Sequence, residues 1–88
     1  MELKDTVQMM QSADYKERFV AEYLQVKIRH KKLKDMCDKY AAGTLDFTPS
    51  CSLELLKNQA RHMFMYLACL ETRAEIEGVD LRPYEMFW

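Results

Sequence analysis

The stretch RHMFMYLACLETR, residues 61–73, decides how this chain folds. Every residue from Met63 to Leu70 is apolar or aromatic, so a helix formed here is apolar around most of its circumference. The chain has 88 residues, and a chain of this length buries only a limited fraction of its surface when it folds alone. We therefore expect copies of the chain to bury this segment by assembling with one another.

The residues on both sides of this stretch are spaced for one long helix. Its main apolar stripe advances in alternating steps of 4 and 3 residues, which suits a helix and which a strand could not use. We expect the helix to cover residues 52–77, with Glu54 in its first turn and Gly78 ending it. The stripe consists of Leu56, Ala60, Met63, Leu67, Leu70 and Ala74.

A second stripe of the same kind predicts an earlier long helix over residues 14–42. Asp14, with Glu17 three residues later, is typical of a helix start, and Gly43 can adopt the left-handed conformation that ends a helix. The loop between the helices then covers residues 43–51. The stripe consists of Phe19, Tyr23, Val26, His30, Leu33, Cys37 and Tyr40.

The two helices predict an all-α fold, an antiparallel helical hairpin forming a single domain over residues 1–88. The N-terminal segment, residues 1–12, carries Leu3, Val7 and Met10 at the spacing of one short helix. Residues 78–88 form an apolar, aromatic tail that we expect to pack on the same chain or on a neighbouring copy.

The hairpin alone leaves apolar residues uncovered. The second helix has a further stripe made up of Leu55, Gln59, His62, Tyr66, Cys69, Arg73 and Ile76, widened by Phe64 and Met65. The first helix has Val20, Leu24, Ile28 and Met36 away from its main stripe. Soluble monomers rarely expose one patch of this size, so we expect a homo-oligomeric helical bundle. Alternatively, the N-terminal segment and the tail fold back over the patch.

The segment KIRHKKLK, residues 27–34, has five Lys or Arg residues and no acidic one. A turn centred near residue 46 or 47 places it level with residues 59–66, which include Arg61 and His62. Basic residues at mid-length attract phosphates, and the alternative, which we favour slightly, is a helix face whose lysines are only solvated. The net charge of −1 argues against binding to duplex nucleic acid.

Polar residues interrupt the apolar surface of the second helix and suggest a pocket. One interpretation is an interface network in which Arg73 pairs with Glu22 or Glu71. The other is a small-molecule pocket shared between chains, in which Tyr66 or Trp88 stacks on a base and Gln59 or Arg73 contacts its edges. The candidate ligand-binding residues are Arg29, His30, Gln59, Arg61, His62, Tyr66, Arg73 and Trp88.

Other classes of protein have little support in the sequence. The three cysteines, Cys37, Cys51 and Cys69, show neither a disulfide framework nor metal-ligand spacing, so we expect a reducing compartment, the cytoplasm, and no metal or cofactor. The residues include no P-loop and no nucleophile motif, so we expect a protein that is not an enzyme. The longest apolar run is too short to span a membrane.

Three segments carry a resemblance to a known family. They are DYKERFVAEYLQVKIRHKKLK, GTLDFTPSCSLELLKNQ and YLACLETRAEIEG, residues 14–34, 43–59 and 66–78. Together they resemble short helical-hairpin proteins of phages and prophages, a family that includes members from crAss-like phages. The matching positions are Tyr15, Arg18, Glu22, Tyr23, Arg29, Thr48, Pro49, Leu55, Leu56, Gln59, Tyr66 and Arg73.

The resemblance implies a role in the defence of a phage against host immunity. Small phage proteins without enzyme motifs are often counter-defence factors, and some are oligomeric sponges that bind the nucleotide signals of bacterial immunity. By analogy, we expect a sponge for a phosphorylated nucleotide held between subunits. Two alternatives remain open: an inhibitor that docks on a host defence protein, and a structural component of a phage or prophage.

Overall fold

The computed structural model describes residues 1–87, with the side chains of residues 1–85. A 3-10 helix, Leu3–Thr6, continues directly into the short helix α1, Val7–Met10. The long helices are α2, Tyr15–Ala42, and α3, Leu53–Glu77, and a second 3-10 helix spans Arg82–Phe87. The described residues contain helices and no strand, which confirms the expected all-α class. None of the described helices is long and apolar enough to cross a membrane.

Local chemistry explains where α2 and α3 begin and end. The side chains of Asp14 and Ser52 each accept a hydrogen bond from a backbone N–H in the first turn, at 2.9 and 3.1 Å. Gly43 and Gly78 follow the two helices with φ angles of 74° and 72°, a conformation that a residue with a Cβ adopts only with strain. Each long helix therefore has its own start and stop signal.

The two long helices pack antiparallel along the predicted stripes. At one end, the Tyr15 hydroxyl donates a hydrogen bond to Oε1 of Glu77 at 2.9 Å. At mid-length, the His30 ring centroid lies 6.2 Å from that of Phe64. These contacts follow the pairing of levels that the turn position predicted. The stripe residues of both helices are buried or half-buried.

The core is concentrated at the end of the hairpin away from the loop. There Phe19, Tyr23, Leu67 and Leu70 are buried, and Met9, Val79, Leu81 and Tyr84 from the two ends of the chain pack against them. The N-terminal segment contacts α2 and the tail lies beside Ala74 of α3. Both chain ends therefore complete the core of the hairpin.

The N-terminal segment changes the expected surface of α2. Val20, Leu24 and Ile28 were expected to be exposed in a lone hairpin, but they retain only 5, 0 and 3% of their accessible surface. That expectation is wrong because the N-terminal segment packs along α2 and adds a second buried side to it. The alternative of a chain end that folds back is therefore correct for α2.

Candidate ligand-binding site

One face of α3 remains uncovered in the single chain. Leu55 and Ile76 keep 55 and 79% of their accessible surface, and Met65 and Tyr66 are also exposed. The N-terminal segment contacts α2 instead, and the described part of the tail, residues 79–85, lies beside Glu71, Ala74 and Glu75. The exposed stripe predicted for the second helix is therefore present in the folded chain.

The uncovered face contains an open groove of about 340 Å³. A volume of this size lies within the range of small-molecule sites, about 300–1,000 Å³. Its lining mixes an apolar floor with an imidazole, two amides and a phenol, which can hydrogen-bond a polar ligand from several directions. The lining residues are Leu55, Asn58, Gln59, His62, Met63 and Tyr66.

Tyr66 is held in place at the groove by α2. Its hydroxyl donates a hydrogen bond to a carboxylate oxygen of Glu22. This bond, together with burial and the negative charge of Glu22, raises the pKa of Tyr66 above its ordinary value. The phenol is therefore a neutral, anchored ring, and such a ring can stack on a planar ligand.

Arg61 lies at the outer rim of the groove. Its Nη1 donates a hydrogen bond to Oδ1 of Asn58 at 3.1 Å, and Asn58 lines the groove. A guanidinium has five N–H donors, so this bond orients the group and leaves donors for an anion.

Arg29 approaches the groove from the side of α2. Arg29 lies two helical turns after Glu22 on the same face of α2. Gln59 lies two turns before Tyr66 on the same face of α3. Because the helices are antiparallel and Glu22 bonds to Tyr66, Arg29 lies level with Gln59. Arg29 is exposed and, by this register, adds a positive charge beside the inner rim of the groove.

Arg73 sits beyond the groove, at the end of the hairpin where the core is concentrated. Its Nε donates to Glu77 at 3.1 Å, its Nη2 donates to the Tyr15 hydroxyl at 2.7 Å, and its guanidinium carbon lies 4.9 Å from the Phe19 ring centroid. Within one chain Arg73 thus contacts Glu77 and Tyr15, while the pairing with Glu22 or Glu71 in a network between chains stays a prediction. Glu77 lies one turn away on the same helix, and Glu22 is engaged by Tyr66 instead.

His30 lies on the opposite flank of the α2–α3 seam. It lines a separate pocket of about 230 Å³ with Lys27, Phe64 and Glu71. Burial, and the positive charges of Lys34 and Lys27, lower the pKa of His30. The two pockets share no lining residue, so one chain does not bring His30 and His62 to a common ligand.

The structure adds groove residues that the sequence patterns did not single out. Asn58 lies between the exposed stripe and the solvent-facing side of α3, and Met63 belongs to the buried stripe but reaches the groove floor. The spacing of Asn58 from Leu55, Arg61 and His62 by three or four residues is the signal that places it on the same face. Trp88, a predicted ligand residue, lies outside the described residues.

Comparison with known proteins gives a family. No curated protein and no solved structure matches the chain. A family model described as Sequestin matches residues 13–76, which include α2, the loop and all but the last residue of α3. The match covers the groove and both arginines at its rims. The chain therefore belongs to the Sequestin family.

Proposed function

We propose that this protein sequesters a phosphorylated nucleotide immune signal, without chemical conversion, at a site between subunits of a homo-oligomer. In this role it is a phage-type counter-defence protein that acts in the cytoplasm of the host cell. The observation that supports the proposal best is the groove on α3, which combines an anchored aromatic ring with hydrogen-bonding groups and basic rims.

The groove residues suit separate parts of a nucleotide. The Tyr66 ring offers a face for stacking on the base, and the Gln59 amide can both donate to and accept from its edge. Arg61, His62 and Arg29 supply donors and positive charge for the phosphates. His30 lies in the pocket on the other flank, so its expected role in phosphate binding requires a neighbouring subunit.

The open shape of the groove supports a shared site. Binding sites generally enclose most of a ligand, whereas this groove is open to solvent along the uncovered face of α3. A neighbouring copy that covers the exposed apolar residues would also close the groove. Assembly and ligand binding would then depend on the same face of α3.

The family and the resemblance support sequestration. Sequestin, the name of the family, is consistent with a protein that binds and retains a ligand. The resemblance to phage and prophage hairpins, some of them nucleotide sponges, suggests a nucleotide of bacterial immunity. A sponge needs tight binding and no reaction, and the groove offers hydrogen-bond donors and an aromatic ring for that purpose.

Native mass spectrometry tests the proposal directly. The protein is measured as purified and after mixing with a panel of cyclic and ADP-ribose-type nucleotides. We expect an oligomer that gains nucleotide in proportion to its number of interfaces. An oligomer that stays empty across the whole panel contradicts sequestration of these nucleotides and favours a host protein as partner, while a monomer contradicts the shared site.

A double variant tests the residues assigned to the phosphates. Arg29→Ala with Arg61→Ala removes both rim charges, and we expect the loss of nucleotide binding with the oligomer retained. Lys31→Ala with Lys57→Ala is the matched control, because both lysines are exposed, neither lines the groove, and the change of net charge is the same. Unchanged binding by the arginine variant would show that the phosphate site lies elsewhere.

A further inference from the structure

The uncovered face of α3 has a second row of residues that is not involved in packing against α2. Residues at alternating steps of 3 and 4 form an exposed or half-exposed seam, and a further row flanks it on the side of α2. This spacing is common to every helix face, but the exposed apolar residues Leu55, Met65 and Ile76 lie at the two ends and in the middle of the seam, which favours a partner helix. The seam consists of Leu55, Asn58, His62, Met65, Cys69, Thr72 and Ile76, and the flanking row consists of Gln59, Tyr66 and Arg73.

We propose that two copies of the chain pack antiparallel through α3, about a twofold axis beside Met65 and Tyr66, and that each copy completes the ligand site of the other. The pattern is self-complementary about this point. The apolar Leu55 faces Ile76 of the second copy, and Met65 faces its own counterpart. The polar pair is Asn58 with Thr72, and His62 lies opposite Cys69.

The overall charge of the two halves of α3 favours the antiparallel arrangement, without requiring a direct contact by any single charge. The first half of α3 carries Lys57 and Arg61 with a single acid, Glu54, whereas its last two turns carry Glu71, Glu75 and Glu77 with a single base. An antiparallel pair sets the positive half of one helix beside the negative half of the other. A parallel pair would instead set the two positive halves side by side and the two negative halves side by side.

Among residues 1–85, the other elements of the chain lie away from the proposed partner position. The N-terminal segment contacts α2, and the tail lies against the flank of α3 that contains Glu71, Ala74 and Glu75. Leu55, Met65 and Ile76 point away from both and are exposed. Burial of these apolar side chains removes them from water and so stabilises the pair.

The same axis brings Arg73 to the groove of the second copy. In the flanking row, Gln59 lies opposite Arg73 of the second copy, and the two Tyr66 rings meet at the axis. Arg73 uses Nε and Nη2 within its own chain, which leaves the donors on Nη1 for a phosphate or a base edge. The assigned residues Gln59, His62 and Tyr66 of one copy are thus joined by Arg73 of the other.

Disulfide crosslinking tests the interface without any ligand. In a Cys51→Ser background, Cys69 is the one exposed cysteine of the described residues, and it lies level with His62 of the second copy. We expect His62→Cys to give a disulfide-linked dimer on oxidation, much faster than Cys69 alone. The gain is about 100-fold in rate at ~10 µM chain, because paired cysteines have effective concentrations of ~1 mM.

The crosslinking controls separate the possible geometries. Lys57→Cys in the same background places an exposed cysteine on α3 away from the seam and is expected to behave like Cys69 alone. Fast dimer formation by Cys69 alone would indicate a parallel pair, and no gain in rate from His62→Cys would show that α3 does not pair in this way. Either result overturns the proposal.

Mixed dimers test whether the two copies share a ligand site. This part of the proposal rests on the proposed function, whereas the proposed interface is independent of it. Gln59→Ala and Arg73→Ala are each expected to lose nucleotide binding alone. A mixture with exchanged subunits is expected to recover about a quarter of the wild-type capacity, since half of the dimers are mixed and each has one intact site. Arg73→Gln replaces Arg73→Ala if circular dichroism shows that the latter unfolds.

The outcomes distinguish the two ideas. Crosslinking without any nucleotide binding by the wild-type protein contradicts the proposed function and leaves the interface standing. Wild-type nucleotide binding with no recovery in the mixture means that Gln59 and Arg73 do not meet across the axis, and the shared site is then wrong.

Discussion

The side-chain amide of Gln25 donates a hydrogen bond to the hydroxyl of Thr6, with 3.2 Å between the two atoms. Thr6 is completely buried and donates its own proton to the Leu3 carbonyl at 2.7 Å. This part-buried polar contact joins the N-terminal segment to α2, on the side where Leu24 would otherwise face water. The cover over α2 therefore depends on one hydroxyl as well as on apolar packing.

Replacing Thr6 by Val tests this contact. The change keeps the shape of the side chain and removes the hydroxyl, so the amide of Gln25 loses a partner at a part-buried position. We expect the free energy of unfolding to fall by about 1–3 kcal/mol, measured by urea denaturation. Thr44→Val, at an exposed loop position, is the control, with an expected change within about 0.5 kcal/mol. Equal effects at both positions would contradict the anchoring role of Thr6.

Leu24 tests the second buried side of α2. It keeps none of its accessible surface, because the N-terminal segment packs along α2. Truncation to Ala leaves a cavity, and we expect a loss of about 2–5 kcal/mol in the free energy of unfolding. Phe47→Ala removes a larger side chain that is 55% exposed, and a much smaller loss is expected there. A small loss at Leu24 would mean that the N-terminal segment does not cover α2 in solution.

The hairpin was predictable because its signals are local and repeated. Each stripe gives six or seven apolar or seam positions with one period, and no strand or irregular segment produces that spacing. Asp14, Gly43 and Gly78 mark helix ends through the chemistry of single residues. The level at which α2 meets α3 then follows from the position of the loop alone.

The N-terminal segment was harder because its backbone is not a regular α-helix. Leu3–Thr6 is a 3-10 helix, which turns by about 120° for each residue instead of 100°. The face expected from Leu3, Val7 and Met10 is therefore displaced, and Val7 and Met10 are exposed while Thr6 is buried. A buried threonine has no signal in an apolar pattern, since its partner, Gln25, is distant in the sequence.

Arg73 shows a similar limit at the candidate site. Several acidic residues lie within reach of its helix level, and the sequence does not state which one it contacts. Arg73 contacts Glu77 and the Tyr15 hydroxyl because the start of α2 and the end of α3 lie side by side at this end of the hairpin. The helix face on which a polar residue lies was thus predictable from its spacing. The residue that it contacts was not, because that depends on how the two helices pack.

The contacts of Glu77 predict a dependence of stability on pH. A hydrogen bond from Tyr15 and another from Arg73 hold the pKa of Glu77 below its ordinary value of 4.5. The lowered pKa favours the ionised group in the folded chain, so its contribution is present above the pKa of the unfolded chain and is lost as the pH falls through the folded pKa. We expect Tm to fall on acidification from about pH 6 to about pH 3, and to fall less in Glu77→Gln.

The control for Glu77 is Glu75→Gln, which removes an exposed carboxylate two residues away. Thermal unfolding followed by circular dichroism gives the Tm of all three proteins at both pH values. If Glu77→Gln loses as much Tm on acidification as the wild type, the bonds from Tyr15 and Arg73 do not stabilise the folded chain.

His30 is expected to titrate below the ordinary histidine value of 6.5. Its pKa is lowered by burial against α3 and by Lys34 and Lys27, so protonation opposes folding. The contribution to stability is present above pH 6.5 and decreases as the pH falls toward the folded pKa. NMR titration of the ring protons measures the value, with the His62→Gln variant assigning the signals. Lys34→Gln is expected to raise the pKa of His30, and an unchanged value would contradict the role given to Lys34.

Glu22 offers a prediction in which binding improves. Its carboxylate accepts the bond from Tyr66 and brings a negative charge to the edge of the groove, where it opposes a phosphorylated ligand. Glu22→Gln keeps an acceptor for the Tyr66 hydroxyl and removes the charge.

We expect nucleotide to bind to Glu22→Gln more tightly by up to about fivefold, since two unit charges 4 Å apart in water interact by about 1 kcal/mol. Isothermal titration calorimetry measures the change, and Glu17→Gln, five residues earlier on α2, controls for net charge. Equal gains in both variants would mean that only the overall charge matters, whereas a gain confined to Glu22→Gln would place the anion beside Tyr66.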